Sequence, residues 1–307
     1  MSRRGKARKP RQTEIIEGVR AHLEELEGLA SGLSNVASRK TRELLVGEVR
    51  EDLARVISSL DPIKEPKSFF DPADPETAGR LVAMALLAQP RVPLGRIPRS
   101  YGSGVYAIYY NGRYPAYLGI SGTEMPIYVG KADPSSTVAV SPREQGDKLY
   151  GRLADHRKAI RTVEKFALDH GLPNPLRVED FECRRLVTAT NAQLFAEKHL
   201  IGIFEPIWNK DTNVCWGISK HGDTEGRSNK RSPWDVLHKG RKWAMQEKLE
   251  DSRSEERILE DIRKHTEAKP AYTDRDEIVE AFLSAFAQDP LLDNESDAED
   301  DGGDDEG

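Results

Sequence analysis

Two short runs of β-branched and aromatic residues near the middle of the chain constrain its fold more than any other feature. They are Gly104–Tyr110, with the sequence GVYAIYY, and residues 125–130, with the sequence MPIYVG. A loop rich in glycine, proline and tyrosine separates them. Such residues favour strands, and we expect the two runs to lie next to each other in a sheet. The pattern therefore predicts an antiparallel strand pair.

The segments that follow alternate between helical and strand patterns. Residues 147–165 have apolar side chains at helical spacing, residues 180–187 form a strand pattern, and residues 190–204 return to the helical period. A helix is also expected from Pro75 to just before Pro90. We predict an α+β core, a small antiparallel three-stranded sheet flanked by helices.

The ends of the chain differ from this core. We predict a helical hairpin from two amphipathic segments that break near residues 32–34, with a proline-rich connector behind it. Beyond Trp243 we predict charged helices over residues 245–265 and 276–287, and then a disordered acidic tail. The expected divisions are a basic arm with the hairpin (1–62), the core domain (63–243), the charged helices (244–288) and the tail (289–307).

The net charge of -6 hides a basic body. Residues 289–307 hold ten acidic residues and no basic ones, so the rest of the chain carries a charge of +4. Positive charge is concentrated in residues 209–243, where Trp216, Trp234 and Trp243 are interleaved with eight basic and four acidic residues. This composition suits a surface that follows a polyphosphate, and it equally suits a solvated charged loop.

Composition excludes several classes of protein. No apolar run approaches the roughly 20 residues of a membrane span. The basic N-terminus is followed by a polar segment rather than an apolar signal core, so we expect a cytoplasmic protein. Cys183 and Cys215 lack the spacing of zinc ligands and are too few for a disulfide framework. We expect both to be reduced and packed in the core.

The order of several motifs resembles the GIY-YIG nuclease superfamily. Gly104-Val105-Tyr106 and Tyr128-Val129-Gly130 are similar to the two triplets that name it, with valine in place of isoleucine in each. A helix with the sequence GRLADHRKAI and a later one with LFAEKHLIGIFEPIWNK follow in the family's order. The resemblance is closest to the type II restriction endonucleases and covers roughly residues 69–243. It implies the nuclease domain of a DNA-cleaving enzyme.

The residue types suit phosphodiester hydrolysis, which needs an attacking water and stabilisation of charge on the phosphoryl oxygens. Arg152 and His156 are four residues apart on one helix and share a face. The arginine is our candidate for binding the scissile phosphate through its planar fork. Glu197 lies among apolar neighbours, so its carboxylate needs a partner, and we assign it to a Mg²⁺ or Mn²⁺ ion.

The resemblance implies roles for the remaining site residues. Tyr106, its pKa lowered by the metal and His156, would activate the water, and Tyr128 would orient that water or contact the phosphate. A free tyrosine is a weak base near neutral pH, so Lys131 and His156 stay open as alternatives. Asn209 would hold the geometry of the site.

We therefore predict a type II restriction endonuclease that acts as a homodimer on double-stranded DNA, since a palindrome presents two equivalent strands. The resemblance suggests a short G/C-rich palindrome such as CCGCGG, and a partner DNA methyltransferase. Candidates for reading guanine are Lys220, Arg227, Lys230 and Arg231. Two alternatives stay open: a repair or mobile-element nuclease of the superfamily, and a non-catalytic DNA-binding protein on the same scaffold.

Overall fold

The protein is described by a computed structural model, which describes residues 12–33, 39–60, 63, 70–219, 230–269, 271–284 and 286–287. The chain divides into two compact units. The smaller contains Met1–Ser68 and Gln288–Gly307, and the larger is Phe69–Ala287. All the residues proposed above for the site belong to the larger unit.

The smaller unit contains the first two helices. These are α1 (Gln12–Leu33) and α2 (Arg39–Leu60), where the sequence predicts helices. The apolar side chains of Ile15, Val19 and Leu23 on α1 are exposed. The pairing of the two helices as a hairpin stays a prediction, and the basic arm and the acidic tail lie outside the described residues.

The larger unit has helices and short strands in alternation. Its helices are α3 (Pro75–Leu87), α4 (Pro142–Gln145), α5 (Lys148–Asp169), α6 (Ala192–Phe204), α7 (Pro233–Leu237), α8 (Glu255–Ala268) and α9 (Arg275–Ser284). Its strands are β1 (Val92–Pro93), β2 (Gly104–Tyr110), β3 (Tyr128–Ala132), β4 (Phe181–Val187), β5 (Lys230–Arg231) and β6 (Glu250–Asp251). The predicted helices over residues 147–165 and 190–204 correspond to α5 and α6.

The main sheet has four strands rather than three, in the order β1-β4-β2-β3, and all neighbours are antiparallel. The predicted strand count was therefore wrong. The additional strand, β1, has two residues and pairs Val92 with Cys183 and Pro93 with Glu182. A two-residue strand is too short to show an alternating pattern in the sequence. Proline cannot donate a ladder hydrogen bond, which suits Pro93 to the edge of a sheet.

The predicted antiparallel pairing of the first two strand patterns is confirmed. β2 and β3 pair from Gly104 opposite Ala132 to Ile108 opposite Tyr128. All seven residues of β2 are buried, because the strand lies inside the sheet and helices cover the core. The second strand begins at Tyr128, three residues later than predicted, and continues to Ala132.

Two helices meet the sheet at this strand pair. Both α5 and α6 contact β2 and β3. On its other side α6 packs closely against α3, where a Cβ atom added to Gly79 would lie 2.8 Å from the Cβ of Phe195. The close packing fixes α6 against the sheet. Side chains from α5 and α6 are therefore brought to the two strands that carry the tyrosine motifs.

The helix predicted over residues 245–265 begins ten residues late. Glu250–Asp251 instead forms β6, which pairs in parallel with β5. The Ser254 hydroxyl then caps α8 by accepting a hydrogen bond from the backbone N–H of Arg257. A serine cap and the short strand pairing thus set the start of the helix. The predicted helix over residues 276–287 is present as the shorter α9.

Two further expectations from the sequence concern membrane-spanning helices and the cysteines. None of the described helices is long and apolar enough to cross a membrane. Cys183 and Cys215 are both buried free thiols, as predicted. Burial raises the pKa of each thiol to about 12, so neither is a reactive thiolate.

Candidate active site

The two motif tyrosines lie side by side on neighbouring strands. Tyr106 on β2 is opposite Gly130 on β3, so Tyr128 is its diagonal neighbour on the same face. Their ring centroids are 6.1 Å apart. The structure thus brings the tyrosines together across the strand pair, as predicted.

Steric crowding explains why each triplet has a glycine. A Cβ atom on Gly130 would lie 2.5 Å from the Tyr106 hydroxyl oxygen and 2.9 Å from a ring carbon of Tyr128. A Cβ atom on Gly104 would collide with the carbonyl oxygen of Leu186 on β4. The missing side chain at Gly130 makes room for the two aromatic rings.

The helix α5 contributes His156 directly to this tyrosine pair. The His156 Nε2 atom lies 2.8 Å from the Tyr106 hydroxyl oxygen, and the imidazole is almost fully buried. The ring centroid of Tyr128 is 4.7 Å from that of His156. His156 is therefore in contact with both motif tyrosines, rather than lying on the surface of its helix.

Arg152 lies one turn before His156 and acts on the same hydroxyl groups. Burial raises the pKa of Tyr106 well above its ordinary value, and the nearby charge of Tyr128 adds to this. The charge and hydrogen bond of Arg152 oppose the increase. Desolvation therefore penalises the tyrosinate more than the arginine stabilises it in the protein alone, and the decrease in pKa expected from a metal and His156 stays a prediction.

Glu197 on α6 lies at the open edge of β3. Its Oε1 atom accepts a hydrogen bond of 3.1 Å from the backbone N–H of Lys131. Burial raises the pKa of Glu197, and the charge of Lys131 opposes this. Asp133 and Asp211 raise it further. The carboxylate carries its charge at an electrostatic cost, as expected of a group that binds a cation.

The charges of Glu197 and Arg152 both reach the two motif tyrosines. Both charges act on the Tyr128 hydroxyl, where burial raises the pKa, Arg152 lowers it and Glu197 raises it. The same two charges act on Tyr106. His156 thus contacts the Tyr106 hydroxyl, Arg152 acts on both tyrosine hydroxyls, and Glu197 lines the same cavity as Tyr128.

Lys131 is held away from the role of a base. Its ammonium forms an ion pair with Asp133, at 2.7 and 2.8 Å from the two carboxylate oxygens. The Lys131 side chain is thus engaged with Asp133, whereas His156 contacts the Tyr106 hydroxyl directly. Of the alternatives considered from the sequence, the geometry favours His156 over Lys131.

Asn209 fixes the strand that carries Tyr128. Its Oδ1 atom accepts from the backbone N–H of Val129 at 2.9 Å, and its Nδ2 atom donates to the Val129 carbonyl at 2.8 Å. The adjacent Trp208 backbone N–H donates to the carbonyl of Ile127. β3 is an edge strand, and these contacts satisfy backbone groups that no neighbouring strand can reach.

Two further contacts at the site were not predicted. The Ser219 hydroxyl lies 2.9 Å from that of Tyr128, and no sequence pattern links residues so far apart. Gln193 donates to Asp133 at 3.3 Å and precedes Glu197 by one helical turn. Helical spacing alone places Gln193 on the face of Glu197, so this residue could have been found from the sequence.

Of the predicted DNA-binding residues, Lys230 and Arg231 are described by the structure, and neither lines this pocket. Lys220 and Arg227 lie outside the described residues. The Lys230 ammonium is 3.3 Å from Glu250. Arg231 binds the carbonyls of Ala244 and Gln246 and the carboxylate of Asp251. With these donors engaged in the fold, the structure favours a structural role for Arg231 over the reading of guanine.

The aromatic residues of the basic segment have separate roles. Trp234 is fully buried in the core, and the Arg241 guanidinium lies 4.7 Å from the centre of its ring. Arg241 itself is buried, paired with Asp235 at 2.6 Å. Trp216 instead lines a cavity next to Glu197. Part of the pattern interpreted as a nucleic-acid surface is therefore core packing.

A divalent cation at this site would have few protein ligands. Among the described residues, no group of three or more acidic, histidine or cysteine side chains could hold a metal. Magnesium does not require such a group, since it often binds one carboxylate together with waters and substrate phosphate. The second carboxylate oxygen of Glu197 has no hydrogen-bond partner among the described residues. Glu197 thus fits a magnesium site that substrate would complete.

Comparison with known proteins identifies the family. The model of the Eco29kI GIY-YIG domain matches residues 99–266, more than half of the chain and all the site residues described above. A search of curated proteins finds no match. The family is one of DNA-cleaving restriction endonucleases. The chain belongs to the Eco29kI GIY-YIG family of restriction endonucleases.

Proposed function

We propose that the protein is a type II restriction endonuclease that hydrolyses phosphodiester bonds in double-stranded DNA with the help of Mg²⁺ or Mn²⁺. The observation that carries the proposal is the contact of His156 with both motif tyrosines, where Arg152 acts on the hydroxyls and Glu197 lines the same cavity as Tyr128. The family supplies the reaction, and we assign a task to each side chain from its contacts.

Arg152 is placed to bind the scissile phosphate. Its guanidinium lies next to the tyrosine hydroxyls and is half-buried. A planar fork in a partly desolvated pocket can donate two hydrogen bonds to phosphoryl oxygens, whose charge increases in the transition state. Arg152 therefore stabilises the transition state more than the substrate.

Tyr106 and His156 form a path for the proton that leaves the attacking water. With His156 Nε2 unprotonated, the Tyr106 hydroxyl donates to it across 2.8 Å. Tyr106 can accept the water proton on its oxygen as it passes its own proton to His156. Because burial disfavours a free tyrosinate, the transfer to His156 accompanies the attack rather than preceding it.

Tyr128 positions the reacting groups and does not act as the base. Burial raises the pKa of its hydroxyl, which lies 2.9 Å from that of Ser219. Asn209 holds the next residue of the strand through both backbone groups. A neutral tyrosine fixed in this way can orient the water or donate to a phosphate oxygen.

Glu197 would hold the cation through its available carboxylate oxygen. When bound, the cation supplies a Lewis acid for phosphoryl oxygens and lowers the pKa of a coordinated water. The backbone N–H of Lys131 fixes the other carboxylate oxygen, which sets the direction of the available one. A positive charge there would also remove the cost of the buried carboxylate.

The oligomeric state, the recognition sequence and the partner enzyme are inferred from the resemblance to this family. We propose that two copies act together on a short G/C-rich palindrome such as CCGCGG, since each copy offers one site for one strand. A DNA methyltransferase with the same recognition sequence is the expected functional partner. Lys220 and Arg227 stay candidates for base reading.

The experiment is to incubate the purified protein with a long mapped DNA and Mg²⁺ and to sequence the fragment ends. Discrete ends at one repeated palindrome are expected, and their absence with EDTA. Glu197→Ala should remove cleavage, whereas Glu179→Ala, which changes an exposed glutamate paired with Arg177, should retain it. No cleavage by the wild-type protein would reject the proposal. Ends scattered without sequence preference would favour a repair or mobile-element nuclease.

A further inference from the structure

The cavity beside the active site extends beyond the groups needed for hydrolysis. It measures about 660 Å³, and its lining includes the site residues Tyr128, Glu197 and Asn209. We call the rest of the lining, which includes Lys198, Lys210 and Trp216, its outer part. The reaction proposed above assigns no task to this outer part.

Trp216 is held in place at the wall of the cavity although it is only half-buried. Its indole N–H donates to the Asn213 side chain at 3.2 Å. Arg253 in turn binds both the carbonyl and the side-chain oxygen of Asn213, and it pairs with Asp261 on α8. A partly exposed indole fixed by such a chain of contacts presents a rigid apolar surface to whatever enters the cavity.

Lys198 and Lys210 add positive charge to the same cavity. Each directly follows a site residue, Glu197 and Asn209 respectively, and both side chains are exposed. In the part of the chain that the structure describes, neither ammonium has an ion-pair partner. The exposed carboxylate of Asp211 also lines the cavity. Two unpaired ammonium groups next to a phosphate-cleaving centre favour a further phosphate.

We propose that the outer cavity binds the nucleotide adjacent to the scissile phosphate. Lys198 and Lys210 contact its phosphate, and the indole of Trp216 packs against its sugar or base. This inference rests on the proposed function, since it places the cleaved strand at Glu197. Such contacts fix the position of the strand and are independent of base identity.

The test is a binding titration with the full chain carrying Glu197→Gln, which prevents cleavage. The probe is a short duplex with CCGCGG at its centre, and the signal is tryptophan fluorescence. DNA is expected to quench the tryptophan fluorescence of this Glu197→Gln protein, which is the parent of the variants below. Trp216→Phe should abolish most of that change, and Trp216→Ala should weaken binding roughly tenfold, the order of one lost stacking contact. Trp243→Phe is the matched control and should keep both the quenching and the affinity.

The lysines are tested by the salt dependence of binding. Lys198→Gln and Lys210→Gln should each reduce the slope of log K against log salt by about 0.9, the value for one phosphate contact. Lys264→Gln, on the exposed side of α8, should leave the slope unchanged. These variants do not alter the indole, so they test the subsite even if Trp216→Phe folds poorly.

Unchanged quenching in folded Trp216→Phe, together with unchanged slopes in both lysine variants, would overturn the subsite. Cleavage by the wild-type protein is measured separately on the mapped DNA. If the wild-type protein cleaves DNA but the variants bind it like the parent, the subsite is rejected and the proposed function is retained. Binding that depends on the three residues without any cleavage would instead reject the proposed function.

Discussion

The Tyr106 hydroxyl oxygen and the His156 Nε2 atom are 2.8 Å apart in a buried position, although fifty residues separate them in the chain. β2 supplies the tyrosine and α5 the histidine, and the contact of α5 with the sheet joins them. Arg152 and Tyr128 lie beside the pair. The hydrogen bond couples the proton of a tyrosine that resists ionisation to a histidine that can accept it.

Glu197→Gln should stabilise the protein at neutral pH while it abolishes cleavage. Burial raises the pKa of Glu197 in the folded state, so the ionised carboxylate opposes folding above that pKa. Below the ordinary value of 4.5 the carboxyl is protonated in both states, and the advantage of glutamine disappears. Urea unfolding at pH 7 and pH 4 measures both effects. A Glu197→Gln variant less stable than wild type at pH 7 would contradict this account of the carboxylate.

Arg152→Lys should lower the single-turnover cleavage rate about 10²-fold, because a point-like ammonium cannot reproduce two parallel hydrogen bonds to a phosphoryl group. The charge is conserved, so DNA binding should change much less than the rate. Arg157→Lys, on the same helix and next to His156, is the control and should cleave normally. Equal rates for Arg152→Lys and wild type would show that the arginine contributes only its charge.

Asn209→Ala should destabilise the fold by about 2–4 kcal/mol, because the N–H and C=O of Val129 would both lose their partner at a buried edge. Cleavage should also fall, since Tyr128 is the preceding residue. Asn111→Ala removes a side-chain hydrogen bond to Glu182 from an exposed loop and should have a small effect. Denaturant unfolding of both variants gives the comparison, and equal losses of stability would argue against the edge-strand role.

His238 should make the protein sensitive to moderate acid. Burial lowers the pKa of its imidazole from 6.5 to about 3, and Tyr117 can donate to its Nε2 atom across 2.7 Å. The unfolded chain therefore binds one more proton than the folded chain between these pH values. The stability that neutral His238 provides is complete above pH 6.5 and decreases toward pH 3, by up to about 1.4 kcal/mol per pH unit. His238→Gln should unfold with a shallower pH dependence over that range, and an identical slope would contradict the assignment.

Sequence reasoning predicted the site better than the periphery, for physical reasons. The tyrosine triplets lie on strands with strong β patterns, and Arg152, His156 and Glu197 lie on helices whose apolar spacing fixes the face toward the sheet. The strand β1 was missed because two residues are too few to show an alternating pattern. The start of α8 was predicted too early because the Ser254 cap, rather than the apolar spacing, sets where the helix begins.

The electrostatics could not be predicted in the same way. The expected decrease in the pKa of Tyr106 omitted the burial of the hydroxyl, which depends on the packing of α5 over the sheet. The burial of Trp234 and the engagement of Arg231 likewise depend on residues distant in sequence, whereas composition alone suggested an exposed basic surface. Ser219 could be assigned to the site only after its contact with Tyr128 was seen.

The most direct test of the site is a double-mutant cycle on Tyr106 and His156, measured as single-turnover cleavage with Mg²⁺. Each of Tyr106→Phe and His156→Ala should slow cleavage by about 10²-fold or more, within the range for a lost acid–base group. When two groups act as one unit, removing both slows the reaction little more than removing one. The double variant should therefore cleave at the rate of the slower single variant. Losses that multiply in the double variant would show that the two residues act independently, and would contradict the proton path proposed here.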